Sequence, residues 1–251
     1  VGCGDGALLK ELLQNQKFQG IFFGIEPSSD SRNKCNENLA HLQNFGGVFE
    51  SVDEFIFFDN VNFQKKGWVN RNRLRNKNGD MMFSMPVKKA SQNKFINELF
   101  INNLADFERM LLLKIGHHYS NAIYYDYVKN LLLDIFKTFA GQTLSDFNTF
   151  TTKILANELG IATEFTYSSD LSFDLNGTGQ KKILSICKAL ETDIYINLPG
   201  GLHLYDSSTF AENNIKLEFL DINLSPYDQG YEDFIPSLSV IDYLCHCGPK
   251  I

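Results

Sequence analysis

Apolar positions along the chain change spacing repeatedly, from every third or fourth residue to short unbroken runs, and each spacing predicts an element. Leu8, Leu9, Leu12 and Leu13 give residues 7–15 a helical face. Residues 20–25 form an apolar run ending at Glu26-Pro27, a short buried strand, and 29–41 follow as a polar helix. A second compact run, 55–58, stops at Asp59-Asn60 and predicts another strand. Residues 62–73 are polar and basic, Asn78-Gly79 signals a hairpin tip, and 81–87 and 96–101 read as strands. From 104 to 139 helical spacing dominates, through Leu111, Leu112, Ile115 and Tyr119 and then Leu131, Leu132, Ile135 and Phe136. A further helix at 144–159 is stopped by Gly160. Beyond it the order is strand 162–166, loop 168–175, helix 179–190, strand 193–197, helix 207–213, strand 216–219 and helix 238–244 before Gly248. Strands alternating with helices predict an α/β fold, mainly a parallel sheet flanked by helices, with a helical middle segment.

Composition narrows the functional classes. A chain of 251 residues fits one large domain or two modest ones and can bury a real core. A net charge of −7 argues against non-specific nucleic-acid binding, which needs excess Lys and Arg, although residues 65–77 are locally basic. The 5 cysteines show no Cys-x-x-Cys pair. Cys3, Cys35 and Cys187 stand alone, and Cys245 and Cys247 flank His246. Neither zinc nor a disulfide framework is expected, and reduced thiols in a cytoplasm are the default. No apolar run reaches the roughly 18 residues of a membrane span, and no signal peptide is visible. His117-His118 are adjacent on a helix, so they point apart and make no metal pair. Cys187 sits on an apolar helix face and reads as a small buried hydrophobe.

The first candidate chemistry is the turn Gly2-x-Gly4-x-Gly6 at the head of a helix, with Glu26 at the end of the next strand. Glycines let a backbone approach a ligand, helix amides favour an anion, and an acid after the second strand can bind a ribose hydroxyl. A tight turn in an unrelated α/β unit has the same pattern. The stretch 1–45 resembles the start of a class I S-adenosylmethionine-dependent methyltransferase. That resemblance implies a turn of Gly2, Gly4 and Gly6 and a ribose ligand in Glu26. The methyltransferase's later strands have no counterpart, and the acid that precedes its turn is absent because the chain begins at Val1. The unit therefore reads as a truncated fragment, and S-adenosylmethionine is a cofactor only if that fragment works.

The second candidate is Asp59-Asn60-Val61-Asn62-Phe63, followed by Lys65-Lys66-Gly67-Trp68 and Asn70-Arg71-Asn72-Arg73. An acid at a strand end stands beside Arg and Lys, which bind phosphate or carboxylate, Asn, which pairs with hydroxyls, and the one Trp, which can stack on a sugar or base. A solvated basic loop with local Asn turns would look the same. This stretch resembles the signature of the WbqC-like family. More matches follow in order: Met85-Pro86-Val87, Ser91-Gln92, Ser168-Ser169-Asp170-Leu171, Lys182, Ile186 to Leu190, Tyr195-Ile196-Asn197, Gly200-Gly201, Leu204-Tyr205-Asp206, Tyr227-x-Gln229, Phe234, and Leu238-Ser239-x-Ile241-Asp242. One departure stands out. Such proteins open with a strand and a Gln-Pro-containing loop, of which only residues 45–49 echo the tail. The methyltransferase-like piece takes the place of the rest, giving two expected units, 1–45 and 46–251.

The resemblance implies work on bacterial surface polysaccharide, such as O-antigen of lipopolysaccharide. The expected activity is transfer to an activated amino sugar, by acyl or aminoacyl transfer, with a nucleotide-linked sugar as the small-molecule partner. Asp59 would serve as acid, base or ligand-orienting carboxylate. Lys66, Arg71 and Arg73 would hold phosphate or carboxylate, with Asn60, Asn62, Asn70 and Asn72 around them and Trp68 and Tyr205 stacking. Ser168, Ser169 and Lys182 are phosphate candidates, or else a helix cap and a surface lysine. Tyr195, Asn197, His203 and Tyr205 lie at and after a strand end, His203 being the residue type best suited to general base work near neutrality. Gln229 would contact substrate, and Asp242 would orient a basic group or cap a helix. The competing readings are a methyltransferase, or a methyltransferase fusion that lost its middle, and a non-catalytic binding protein of the same pathway.

Overall fold

The computed structural model describes residues 52–174, 176–177, 179–198, 201–219 and 226–250, together with the backbone of Ile21–Gly24. Five strands form one parallel sheet: β1 (Ile21–Gly24), β2 (Glu54–Phe57), β5 (Glu164–Tyr167), β6 (Ile194–Asn197) and β7 (Lys216–Phe219), in the order β5-β2-β1-β6-β7. Two further strands, β3 (Arg71–Asn76) and β4 (Gly79–Ser84), form an antiparallel hairpin apart from it. Helices α1 (Leu104–Tyr119), α2 (Tyr125–Thr138) and α3 (Leu144–Glu158) follow the hairpin. α4 (Gly179–Ala189) joins β5 to β6, α5 (Ser207–Glu212) joins β6 to β7, and α6 (Val240–Cys247) comes last. The architecture is mixed α/β, as the alternating spacing predicts.

The unbroken apolar run 55–58 is explained by helices on both faces of the sheet. Side chains alternate across a strand. Phe55 and Ile196 therefore join the core built from α1, α2, α3 and α6, while Ile56, Phe58 and Tyr195 join the core built from α4 and α5. Leu111, Ile115 and Tyr119 of α1 and Leu132 and Ile135 of α2 supply the first core, and Ile183, Ile186 and Cys187 of α4 the second. Burial pushes the Cys187 thiol up to about 12, as expected of an inert packing residue. Each large apolar side chain buried this way stabilises the fold by about 1.5–3 kcal/mol.

Two local expectations differ from the structure. Residues 96–101 do not form a strand. Ile96–Glu98 is a single 3-10 turn, entered where Glu98 accepts a hydrogen bond from Phe95 N. Ile96, Leu99 and Ile101 are all buried, but their spacing lacks the strict alternation of a strand, and this defeats the strand pattern. Conversely, Arg71–Asn76 is a strand that its polarity hides: Leu74 alone enters the core, and the arginines alternate on the opposite side. The hairpin tip at Asn78-Gly79 falls where expected, Gly79 taking a left-handed φ of 129°.

The sheet winds both ways from its centre. β1, β2 and β5 step outward in one direction and β6, β7 in the other, so the direction reverses between β1 and β6. In such sheets ligands bind outside the carboxyl ends of the strands, at that reversal. No helix among the described residues is long and apolar enough to cross a membrane.

Candidate functional site at the strand ends

Two polar groups lie at the carboxyl edge of the sheet. The first is centred on Asp59, two residues beyond β2. Its carboxylate accepts hydrogen bonds from Ser169 Oγ at 2.7 Å, Ser169 N at 3.0 Å, Ser168 Oγ at 3.0 Å and Asn97 Nδ2 at 3.1 Å. Asn97 also donates its backbone N–H to the Asp59 carbonyl at 3.1 Å. A carboxylate offers about four lone-pair positions, and four donors fill them. The Asp59 carboxylate is thereby held in one orientation. Asn60 Oδ1 lies 2.7 Å from Ser168 Oγ. Ser168 has a single hydroxyl hydrogen, so the consistent assignment turns the Asn60 amide to donate to Ser168, which donates onward to Asp59. Asp59, Asn60 and Ser168 are buried, whereas Ser169 is exposed at the surface of the group.

The second group stands at the end of β6. Asn197 is buried, and its Oδ1 accepts from Leu198 N at 2.7 Å. The Tyr195 and Tyr205 hydroxyls lie beside its side chain. Tyr195 stacks on Phe210 at 5.5 Å, and Tyr205 meets both rings edge-on. Burial raises the pKa of both phenols, that of Tyr205 to about 12. Tyr195 is fully buried and Tyr205 partly so, and both rings pack in the core next to Asn197. Gly201 approaches closely here: a Cβ at that position would lie 2.5 Å from Asn197 Nδ2. His203 is exposed on the loop that follows. Lys182 is half-buried on α4. Neither is hydrogen-bonded to the two groups among the described residues.

The basic stretch after Asp59 is held by its own asparagines. Asn62 Nδ2 donates to Gln92 O at 2.7 Å, Asn70 Nδ2 to Met85 O at 2.9 Å, and Asn72 Oδ1 accepts from Arg73 N at 2.8 Å. Lys66 is exposed on a turn with a left-handed φ of 64°. Arg71 and Arg73 each lie 5.7 Å from the Trp68 ring. This stretch and the Asp59 group meet on adjacent residues of α3. Asn148 Nδ2 donates to Val69 O at 2.8 Å, and the buried Thr149 lies beside Tyr167, the residue just before Ser168.

Asp242 and Gln229 lie elsewhere. Asp242 is fully buried on α6 and accepts from Tyr119 Oη at 2.7 Å and Tyr227 Oη at 2.5 Å. Burial raises its pKa, against the lowering pull of both phenols, His246 and Arg75. Gln229 closes a loop by exchanging two hydrogen bonds with the backbone of Ile235. Asp242 ties the hairpin to the last helix through Tyr119, whose hydroxyl accepts from Arg75 N, and Gln229 braces the 229–235 loop. Gly2, Gly4, Gly6 and Glu26 lie outside the described residues. A shallow groove of about 730 Å³ between α1 and α2, lined by Arg109, Leu113, Gly116, Tyr125 and Lys129 among others, includes none of the candidate catalytic or substrate-binding residues. The residue missed by sequence is Asn97. An Asn between Ile96 and Glu98 carries no motif, and its role depends on a contact 38 positions away.

Comparison with known proteins gives a consistent family. The chain is 26% identical over 215 residues to "Uncharacterized protein Rv1507c" of Mycobacterium tuberculosis, a match spanning 85% of this chain and 92% of that protein. No solved structure matches. The WbqC-like protein family model matches residues 44–251, from just before β2 to the C-terminal residue. The chain therefore belongs to the WbqC-like protein family.

Proposed function

We propose that this protein is a transferase of bacterial surface-polysaccharide synthesis, acting on an activated amino sugar linked to a nucleotide. The observation that carries this is the meeting of Asp59, Asn60, Ser168 and Ser169 at the carboxyl ends of two parallel strands. A hydroxyl-rich ligand needs both donors and acceptors, rigidly placed, and this edge is where doubly wound sheets bind ligands. Asn197, presented from β6, widens the same edge. In acyl or aminoacyl transfer the sugar amine attacks the acyl carbon, loses a proton and expels the donor's leaving group. Ser169 and Asn197 orient the sugar, Asp59 holds Ser169, and His203 takes the proton. The site is tested in cells with chromosomal Ser169→Ala and Asp59→Asn. Surface polysaccharide lacking one acyl substituent is the expected outcome. Unaltered polysaccharide in both strains, with normal protein levels, would overturn the assignment.

A further inference from the structure

The three arginines on the outward side of β3 are unequally committed. Arg73 directs Nη1 to Asp80 at 3.2 Å and Nη2 to the carbonyls of Pro236 and Ser237 at 3.2 and 3.1 Å. Arg75 is 3% exposed, pairs with Asp233, donates to Gly79 O at 3.1 Å, and lies 4.4 Å from the Tyr231 ring. The outer ends of both guanidinium forks are filled by the protein. Arg71 differs. Its Nε donates to Gly67 O at 2.7 Å, which fixes the inner edge, and its Nη1 meets only the sulfur of Met82 at 3.4 Å. Sulfur is a weak acceptor. Nη2 of Arg71 has no hydrogen-bond partner among the described residues. Ser84 is directly opposite Arg71 in the hairpin and exposed, and Met82 is 44% exposed. Lys65 and Lys66 are exposed on the preceding turn, so the surroundings are positive although the chain is acidic overall.

We infer that Arg71 alone of these three is the anion receptor of the protein, taking a two-oxygen anion, phosphate or carboxylate, end-on through Nη1 and Nη2. The Trp68 ring and Gly67 carbonyl hold the guanidinium in place before the ligand arrives, so little side-chain freedom remains to be lost on binding. Arg73 and Arg75 are braces that hold the hairpin against the 231–237 loop. This rests on the proposed sugar-transfer site, for which Arg71 would receive the charged group of the nucleotide-linked sugar, and it narrows the anion contacts to one residue.

The test is calorimetric titration of the whole chain with inorganic pyrophosphate and, separately, acetate, which distinguish phosphate from carboxylate. Saturable binding of either is expected, weakened about tenfold or more in Arg71→Gln, with Arg71→Lys intermediate because it keeps the charge but loses the fork. A purely structural role would not order the variants in this way. Binding of neither anion by the parent would overturn the inference, as would Arg71→Gln binding within about twofold of the parent. A parallel titration with UDP-N-acetylglucosamine separates the two claims. Loss with Ser169→Ala but not with Arg71→Gln leaves the sugar site standing and removes the Arg71 role. Pyrophosphate binding that depends on Arg71, with sugar-nucleotide binding indifferent to Ser169, does the reverse.

Discussion

Asp59 is held by four donors, and that number sets what its replacement costs. In Asp59→Asn the amide nitrogen cannot accept, so donors that met the carboxylate lose their partner. Charge-assisted bonds contribute about 1.5–3 kcal/mol each, and a loss of about 3 kcal/mol in urea unfolding is expected. Gly201→Ala should reorient Asn197, because a Cβ would collide with its amide. Weaker sugar-nucleotide binding with a nearly unchanged melting temperature is the outcome to look for. Asp242 adds a pH dependence. Its folded pKa lies above the unfolded value near 3.8, so unfolding releases a proton in the window between them. The contribution of this residue to stability therefore falls as pH rises through that window, from about pH 4 upward. Asp242→Asn removes that component, and urea midpoints measured across the window should rise more steeply with pH than in the parent. At this scale the sequence exposes Asp59 and Asn60 because polar residues at a strand end break an apolar run, and Ser168 and Ser169 through the family resemblance. It cannot separate Arg71 from Arg73, since the difference lies in acceptors more than 160 positions away.

Among the elements, α3 has the widest consequences. It contacts the Trp68 stretch through Asn148 and the Asp59 edge through Thr149. Its start is fixed by a capping box in which Thr143 Oγ1 accepts from Asp146 N at 3.1 Å and Asp146 accepts from Thr143 N at 2.9 Å. Burial opposes the charge on Asp146, but the N–H groups of Thr143 and Gln142 and the Thr143 hydroxyl outweigh it, and its pKa is lowered. Thr143→Ala should cost about 1 kcal/mol in urea unfolding. The helices and most sheet strands were legible because amphipathic faces and apolar runs report burial directly. The hairpin strand β3 and the 3-10 turn at Ile96–Glu98 were not. In β3 polar side chains serve as tertiary braces, and in the turn three buried residues come from backbone that does not alternate.

For the whole molecule, the arrangement of β1 has the largest consequence. Ile21–Gly24 pairs with β2 over four residues and with β6 over two, at the centre of the sheet, yet it precedes the family-matched segment. A chain restricted to residues 44–251 would lack the strand between β2 and β6. The expected result is loss of cooperative unfolding, since such domains are stable by only roughly 5–15 kcal/mol and the loss of even a few kcal/mol at the sheet centre is a large fraction of that. A fragment melting as sharply as the full chain, at the same temperature, would show that β2 and β6 close without it. The apolar run 20–25 makes the strand legible in the sequence, but its partners are not, because pairing in a parallel sheet is not local.

The central claim is that the strand-end groups bind an activated sugar, and its most direct measurement is calorimetric titration of the full chain with UDP-N-acetylglucosamine, parent against Ser169→Ala. Ser169 is exposed and its hydroxyl makes one bond to Asp59, so the variant should fold normally. Saturable binding by the parent, weakened about tenfold or more in the variant, is the predicted result. Equal affinity in the two proteins, or no heat from the parent at millimolar ligand, would contradict it.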